Sequence, residues 1–283
     1  MENRKECAIR WALVPFSLIV LLAGACSAGG DAWPAPASGP STVGLTTDQR
    51  RVADELVNVF EYSTPSARYD TCADLGDGRG FTCGKVGFTT SSTEVRDIVG
   101  AYVEQVPGSP LKRDLPRLRE LAGSGSSDTS GLPGFTADWK AAAGDATFRA
   151  EQDRLADRLT YAPALAAARA IGLQTALGVA ILYDTAVQHG TSDDPDGLSA
   201  LLASTRERTG GNPADGVAEK TWLQAFLDVR ADDLRNPHDA ESRDVWAASV
   251  DRVDALRGLV DDDRPDLTPP VTITVDGDDY RLR

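Results

Sequence analysis

The run from Leu165 to Gln188 is dominated by Ala, Leu, Ile and Val on every helical face. A helix that is apolar all round has no side to offer water, so other elements must sheathe it. The chain is therefore expected to be mainly α, built around a buried central helix. Its neighbours in sequence supply the sheath. Thr46-Thr47-Asp48-Gln49 fits a capping box, and Ala53, Leu56, Val57 and Phe60 form a stripe that ends at Ser63-Thr64-Pro65. Val95, Ile98, Val99, Tyr102, Val103 and Val106 keep helical spacing between Thr93 and Pro107-Gly108. Further helices are predicted over 111–122, from Thr136 through Phe148 to a break near Tyr161-Ala162-Pro163, and over 198–209, 219–235 and 242–259.

Two segments break the helical pattern. Between Tyr69 and Thr89, glycines 76, 78, 80, 84 and 87 alternate with Phe81, Val86 and Phe88, which predicts a small antiparallel sheet. Cys72 and Cys83 flank the Gly76–Gly80 turn almost symmetrically, so a hairpin there would bring them face to face. The tail from Pro270 to Val275 alternates as a strand does, ahead of an Asp276-Gly277 turn.

The N-terminus sets the compartment. Arg4, Lys5 and Arg10 precede an apolar run from Trp11 to Ala25 that falls short of the ~20 residues of a spanning helix. Residues 1–25 read as a signal peptide with an Ala23-Gly24-Ala25 cleavage pattern. Leu-Leu-Ala-Gly-Ala-Cys resembles a lipobox, which makes Cys26 a lipidation candidate. Residues 26–45, rich in Ser, Gly, Ala and Pro, read as a flexible tether, leaving 46–283 for one large domain or two lobes sharing a cleft. Export also permits a Cys72–Cys83 disulfide. The formal charge is −14, and −15 without residues 1–25 and their three basic and two acidic side chains. Such acidity excludes nucleic acid as a partner and suits a cationic polymer.

Chemistry-bearing residues are few. Asp77 sits on the glycine-rich turn Gly76-Asp77-Gly78-Arg79-Gly80-Phe81-Thr82, and Glu61 lies near the end of the first helix, at the edge of its apolar stripe. Two carboxyl groups on separate elements are what glycosidic hydrolysis requires. The sheltered Glu61 is expected to hold its proton, and the solvated Asp77 to stay ionised. Asp184 lies on the apolar stripe of the central helix and Arg230 on that of another, which predicts a buried pair. His189 and His238 are expected to cap or bind water. Neither zinc-ligand spacing, a phosphate-binding glycine loop nor a Gly-x-Ser-x-Gly elbow occurs, so no metal or cofactor is expected.

Taken in order, Glu55-Leu56-Val57 with Glu61, Asp74 to Thr82 with Gly87-Phe88, Phe135-Thr136-x-Asp138-Trp139, Tyr183-Asp184 with His189-Gly190, Phe226-Leu227-Asp228-x-Arg230 and Leu267-x-Pro269-Pro270 resemble the chitosanases of glycoside hydrolase family 46. The resemblance spans roughly residues 48–283. It implies a two-lobed, lysozyme-like α+β fold with a small antiparallel sheet beside the cleft. It also implies endo-hydrolysis of chitosan or glucosamine oligosaccharides with inversion, by an enzyme expected to act as a monomer. By resemblance Glu61 is the general acid, Asp77 the base and Thr82 a water holder. Asp184, Arg230 and Arg243 form a supporting charge network, and Asp74, Arg79 and Glu94 meet substrate. The family pattern has no counterpart of the cysteine pair, and Ala73 stands where an acidic residue is common. Two rival readings accompany this one: a lysozyme-like hydrolase of peptidoglycan or partly acetylated chitin, and a non-catalytic surface lipoprotein that binds cationic glycans.

Overall fold

The structure is a computed structural model described over residues 33–238 and 243–283. The signal peptide, Cys26 and the start of the helix expected at Ser242 lie outside the described residues. Eleven α-helices and two small antiparallel sheets are found among those described, and none of these helices is long and apolar enough to cross a membrane.

Two separate apolar cores divide the fold into lobes. The first lobe packs α1 (Thr47–Tyr62), α6 (Ala162–Ala170), α7 (Ala176–His189), α8 (Leu198–Thr209), α9 (Glu219–Arg235) and α11 (Val250–Asp261) with the hairpin β4 (Val271–Val275) and β5 (Asp278–Leu282). The second packs β2 (Phe81–Cys83) and β3 (Phe88–Thr89) under α2 (Thr93–Gln105), α3 (Leu115–Ser124), α4 (Phe135–Ala142) and α5 (Ala146–Ala156), with β1 (Cys72–Asp74) on the edge of the sheet. The short α10 (Arg243–Ala247) leans on α9.

The central helix is shorter than its composition suggests. α7 is buried on all sides, but the apolar run is cut at Gly172, whose φ of +83° and contact with Ala214 leave no room for a side chain. Thr175 then caps α7 through Gly178 N, and the buried Glu219 accepts from Gln174 N and Thr175 N and from the Thr175 hydroxyl. That cap is tertiary, so a hydropathy pattern does not reveal it. Two other predicted helices also divide. Asp145 caps a new helix through Thr147 N, after Gly144, and the Ser249 hydroxyl bonds the Trp246 carbonyl between α10 and α11.

Conversely, the break expected near Pro163 is bridged. A π-helical turn, Asp157–Tyr161, joins α5 to α6, so the chain stays helical from Ala146 to Ala170 and crosses from one lobe to the other. Pro163 lacks an N–H and crowds the carbonyl four residues back. That carbonyl, Leu159 O, accepts instead from the Thr191 hydroxyl.

Residues 33–45, read from composition as tether, make specific contacts. Trp33, Val43 and Leu45 pack on the first core, Trp33 Nε1 donates to Asp263, and backbone bonds join Gly39 to Ala214 and Ser41 to Arg169. The three apolar side chains supply the burial that the flanking Ser, Gly and Pro lack.

Candidate active site

α1 starts where the capping box is formed in both directions between Thr46 and Gln49. Its face of Val52, Ala53, Leu56, Val57 and Val59 is buried, and it stops at Ser63, which adopts φ +52°. Glu61 thus sits in the last turn with a side chain 29% exposed. Its Oε1 accepts from Arg252 Nη2 at 2.7 Å, and the Arg252 guanidinium lies 5.1 Å from the Phe60 ring centre.

Asp77 comes from the other lobe. β1 and β2 pair antiparallel with Cys72 opposite Cys83, Ala73 opposite Thr82 and Asp74 opposite Phe81. Cys72 and Cys83 are disulfide-bonded across this register, 11 positions apart in sequence; closing so short a loop is worth about 3 kcal/mol in the chain-entropy model. The connecting turn places Gly76, Gly78 and Gly80 at φ +72°, +77° and +75°, a region that L side chains rarely occupy. Asp74 Oδ1 accepts from Gly76 N, and Asp77 Oδ1 from Arg79 N. Asp77 Oδ2 receives Arg79 Nε at 3.0 Å and Nη2 at 2.7 Å. The hydrogen bonds from Arg79 hold the Asp77 carboxyl below the usual carboxylate range. Thr82 follows on β2, and its Oγ1 is shielded with no hydrogen-bond partner among the described residues.

Behind Glu61 lies a buried charge network. Asp184 and Arg230, paired from sequence by their apolar stripes, meet at 2.7 Å with side chains 2% and 0% exposed. The third member is Arg252 on α11, where the resemblance implied Arg243. Arg252 Nε and Nη2 donate to Asp184 Oδ1 at 3.1 and 2.9 Å while Nη2 also reaches Glu61. Arg243, by contrast, is exposed on α10. Arg252 carried the same signal that marked Asp184: with Leu256 and Leu259 it falls on the buried face of its helix. Burial by itself would raise the Asp184 carboxyl, but Arg252 and Arg230 outweigh it and hold the group ionised.

The histidines also differ from expectation. His189 is buried and receives Arg230 Nε on its Nε2 at 3.3 Å, while its Nδ1 donates to Asp196 O. Burial, aided by Arg230, pushes its pKa down to about 3, so it stays neutral and can accept from the cation. Gln188 Oε1 accepts a further hydrogen bond from Arg230 Nη2 at 2.5 Å. His238 pairs with Asp196, next to Asp233. Glu94 turns one oxygen inward onto Thr89 N at 2.9 Å, tying α2 to β3, and Asp74 is exposed.

The arrangement is one carboxyl backed by buried arginines and a second held ionised on a rigid turn, each carried by a different lobe. Residues 55–271 match Glycosyl hydrolase family 46. A chitosanase of Bacillus subtilis (strain 168) is 46% identical over 230 residues, 81% of this chain and 83% of that one. The crystal structure of a native chitosanase from Bacillus subtilis MY002 is similar with a TM-score of 0.79 and 44% identity, over 85% of this chain and 100% of that one. A mutant of that enzyme complexed with 6 GlcN gives the same values. The chain belongs to glycosyl hydrolase family 46.

Proposed function

We propose that the enzyme cleaves β-1,4 glucosaminide bonds within chitosan, with inversion at the anomeric carbon. The observation that carries this reading is the unequal setting of Glu61 and Asp77, one backed by Arg252 and the other fixed by Arg79. Glu61 gives its proton to the glycosidic oxygen as the bond from C1 breaks. Asp77 takes a proton from a water that attacks C1 from the opposite face, and Thr82 Oγ1 helps to hold that water. Inverting chemistry of this kind sets the two carboxyl groups about 6.5–9.5 Å apart. As Glu61 loses its proton, negative charge develops beside Arg252, whose partner Asp184 already faces a second arginine. The network is therefore in place to stabilise the carboxylate that Glu61 becomes as the bond breaks. The free product is the α-anomer, and solvent restores both protonation states.

A glucosamine unit carries an amine where chitin carries an acetamide, so the attacking water must be activated by protein. We assign Asp74 and the second oxygen of Glu94 the contacts with the substrate's ammonium groups, in keeping with the acidic chain. Reducing-end release from chitosan, run beside acetylated chitin and peptidoglycan, tests the reading. Release confined to the acetylated substrates identifies a lysozyme-like enzyme, and no release from any of them a binding protein.

The Arg79 contact makes a pH prediction. The base works ionised, so kcat/KM falls as pH drops through its pKa. Arg79 depresses that pKa. Arg79→Ala raises it toward the ordinary carboxyl value and moves the acid limb of the profile to higher pH. A profile unmoved on a soluble glucosamine oligomer would remove Asp77 from the role of base.

Residues 1–25 and Cys26 we assign to export and lipid attachment, on the charge and apolar pattern of the sequence. The expected form is a membrane-fraction protein beginning at a diacylated Cys26. A mass matching an unmodified N-terminus in all fractions argues against it.

A further inference from the structure

The proposed acid and base ride on different bodies. α1 packs principally on α7 and β5, within the first lobe, whereas the Asp77 hairpin belongs to the second. Besides the helical rod that joins the lobes, polar clasps bridge them. One lies next to the acid itself: Tyr62 Oη donates to Gly84 O at 2.8 Å. Burial, with Glu61 nearby, pushes the phenol up to about 12, so it remains a donor.

Gly84 is an unusually fixed anchor. It follows Cys83 of the disulfide, and its N–H donates to Thr71 O at 2.7 Å across the sheet. At φ +72°, a Cβ there would lie 2.2 Å from Gln152 Oε1 and 3.0 Å from the Trp139 ring. Gln152 and Trp139 are themselves bound to Tyr69 O. Thr82 is two residues away, on β2. A second clasp lies further back, where buried Lys85 reaches Asp153 at 2.9 Å and Asp54 of α1 at 3.7 Å.

We propose that Tyr62 is a positioning residue, whose hydrogen bond to the Gly84 carbonyl sets the distance between the acid on α1 and the base and water holder on the β1–β2 hairpin. This rests on the assignment of Glu61 and Asp77 given above. Tyr62→Phe removes one oxygen and keeps the ring. Tyr102→Phe removes a comparable hydroxyl, bound to Asp145 within the second lobe, and serves as the control.

The test uses the full chain, with kcat and KM on the glucosamine hexamer, thermal unfolding, and amide hydrogen exchange of peptides covering 70–84. Displacement of reacting groups by a fraction of an ångström is costly, so kcat of Tyr62→Phe falls roughly 10–100-fold while KM stays within about twofold. Peptides over 70–84 exchange faster and those of α5 do not. Tyr102→Phe keeps wild-type kcat. The proposal is overturned if Tyr62→Phe retains kcat within about twofold, if exchange over 70–84 is unchanged, or if the control loses activity equally. A wild-type enzyme inert on the hexamer, with the exchange difference present, sinks the substrate assignment and leaves the clasp standing.

Discussion

Glu61→Gln and Asp77→Asn each yield a folded enzyme whose turnover of chitosan is lower by roughly 10²–10⁴-fold, the span that a positioned acid or base contributes. The introduced glutamine still offers an oxygen to Arg252. The introduced asparagine still accepts from Arg79 N, while its amide nitrogen gives up the two guanidinium contacts made by Oδ2. The two variants differ in what relieves them. A substrate with a good leaving group, such as an aryl glucosaminide, needs little protonation and recovers much of the activity of Glu61→Gln. It recovers none for Asp77→Asn, where the water is still not activated. Matched unfolding curves show that the fold is intact. Near-native turnover in either variant removes that residue from the mechanism, and relief of Asp77→Asn but not of Glu61→Gln reverses the division of roles.

The second large effect is at Arg252, which is expected to fail in two ways when replaced by Met. Its guanidinium bridges Asp184 and Glu61, and it is only 8% exposed. Removing it leaves Asp184 buried with Arg230 alone, and stripping one partner from a buried charge group costs about 3–5 kcal/mol. Turnover falls as well, because the charge that develops on Glu61 loses its counter-ion. The double variant Asp184→Asn/Arg252→Met tests the network as a unit. It also strips the buried Arg230 of its carboxylate, so it is less stable than Arg252→Met, and the coupling measured by the cycle is the network's structural share. Activity does not return. Denaturant titration and turnover on the four proteins of the cycle check both statements. A double variant no less stable than Arg252→Met means that Asp184 does not hold the Arg230 charge.

The buried charges that sequence reasoning found share one physical signature: a charge on a face that should be apolar. Asp184 and Arg230 were legible because helical periodicity gives the expected neighbours of every position. Arg252 carried the same mark on α11, and a motif carried along the chain led to Arg243 instead; the face of the helix was the better guide. The alternation of glycines likewise announced the turn beneath Asp77. What escaped has a tertiary cause. Glu219 cuts the central apolar run from 45 positions away, and neither partner looks unusual in sequence. His189 and Gln188 serve Arg230 from the end of a helix, where a polar residue usually meets water. Tyr62 looks like the edge of a stripe, and its role rests on a carbonyl of a glycine in the other lobe.

The π-helical turn between α5 and α6 acts as a phase shifter. The buried stripe of α5 runs through Phe148, Gln152 and Leu155, and an uninterrupted α-helix would continue it at 159, 163 and 166. The fully buried positions beyond the turn are instead Ala164 and Ala168. A residue corresponds to roughly 100° around an α-helix, so the wider turn rotates everything after it. One continuous rod thereby shows its apolar side to the second core before the turn and to the first core after it. Which side of α6 meets the first core is set by a count of residues, and deleting one residue within 157–161 would turn Ala164 and Ala168 toward water.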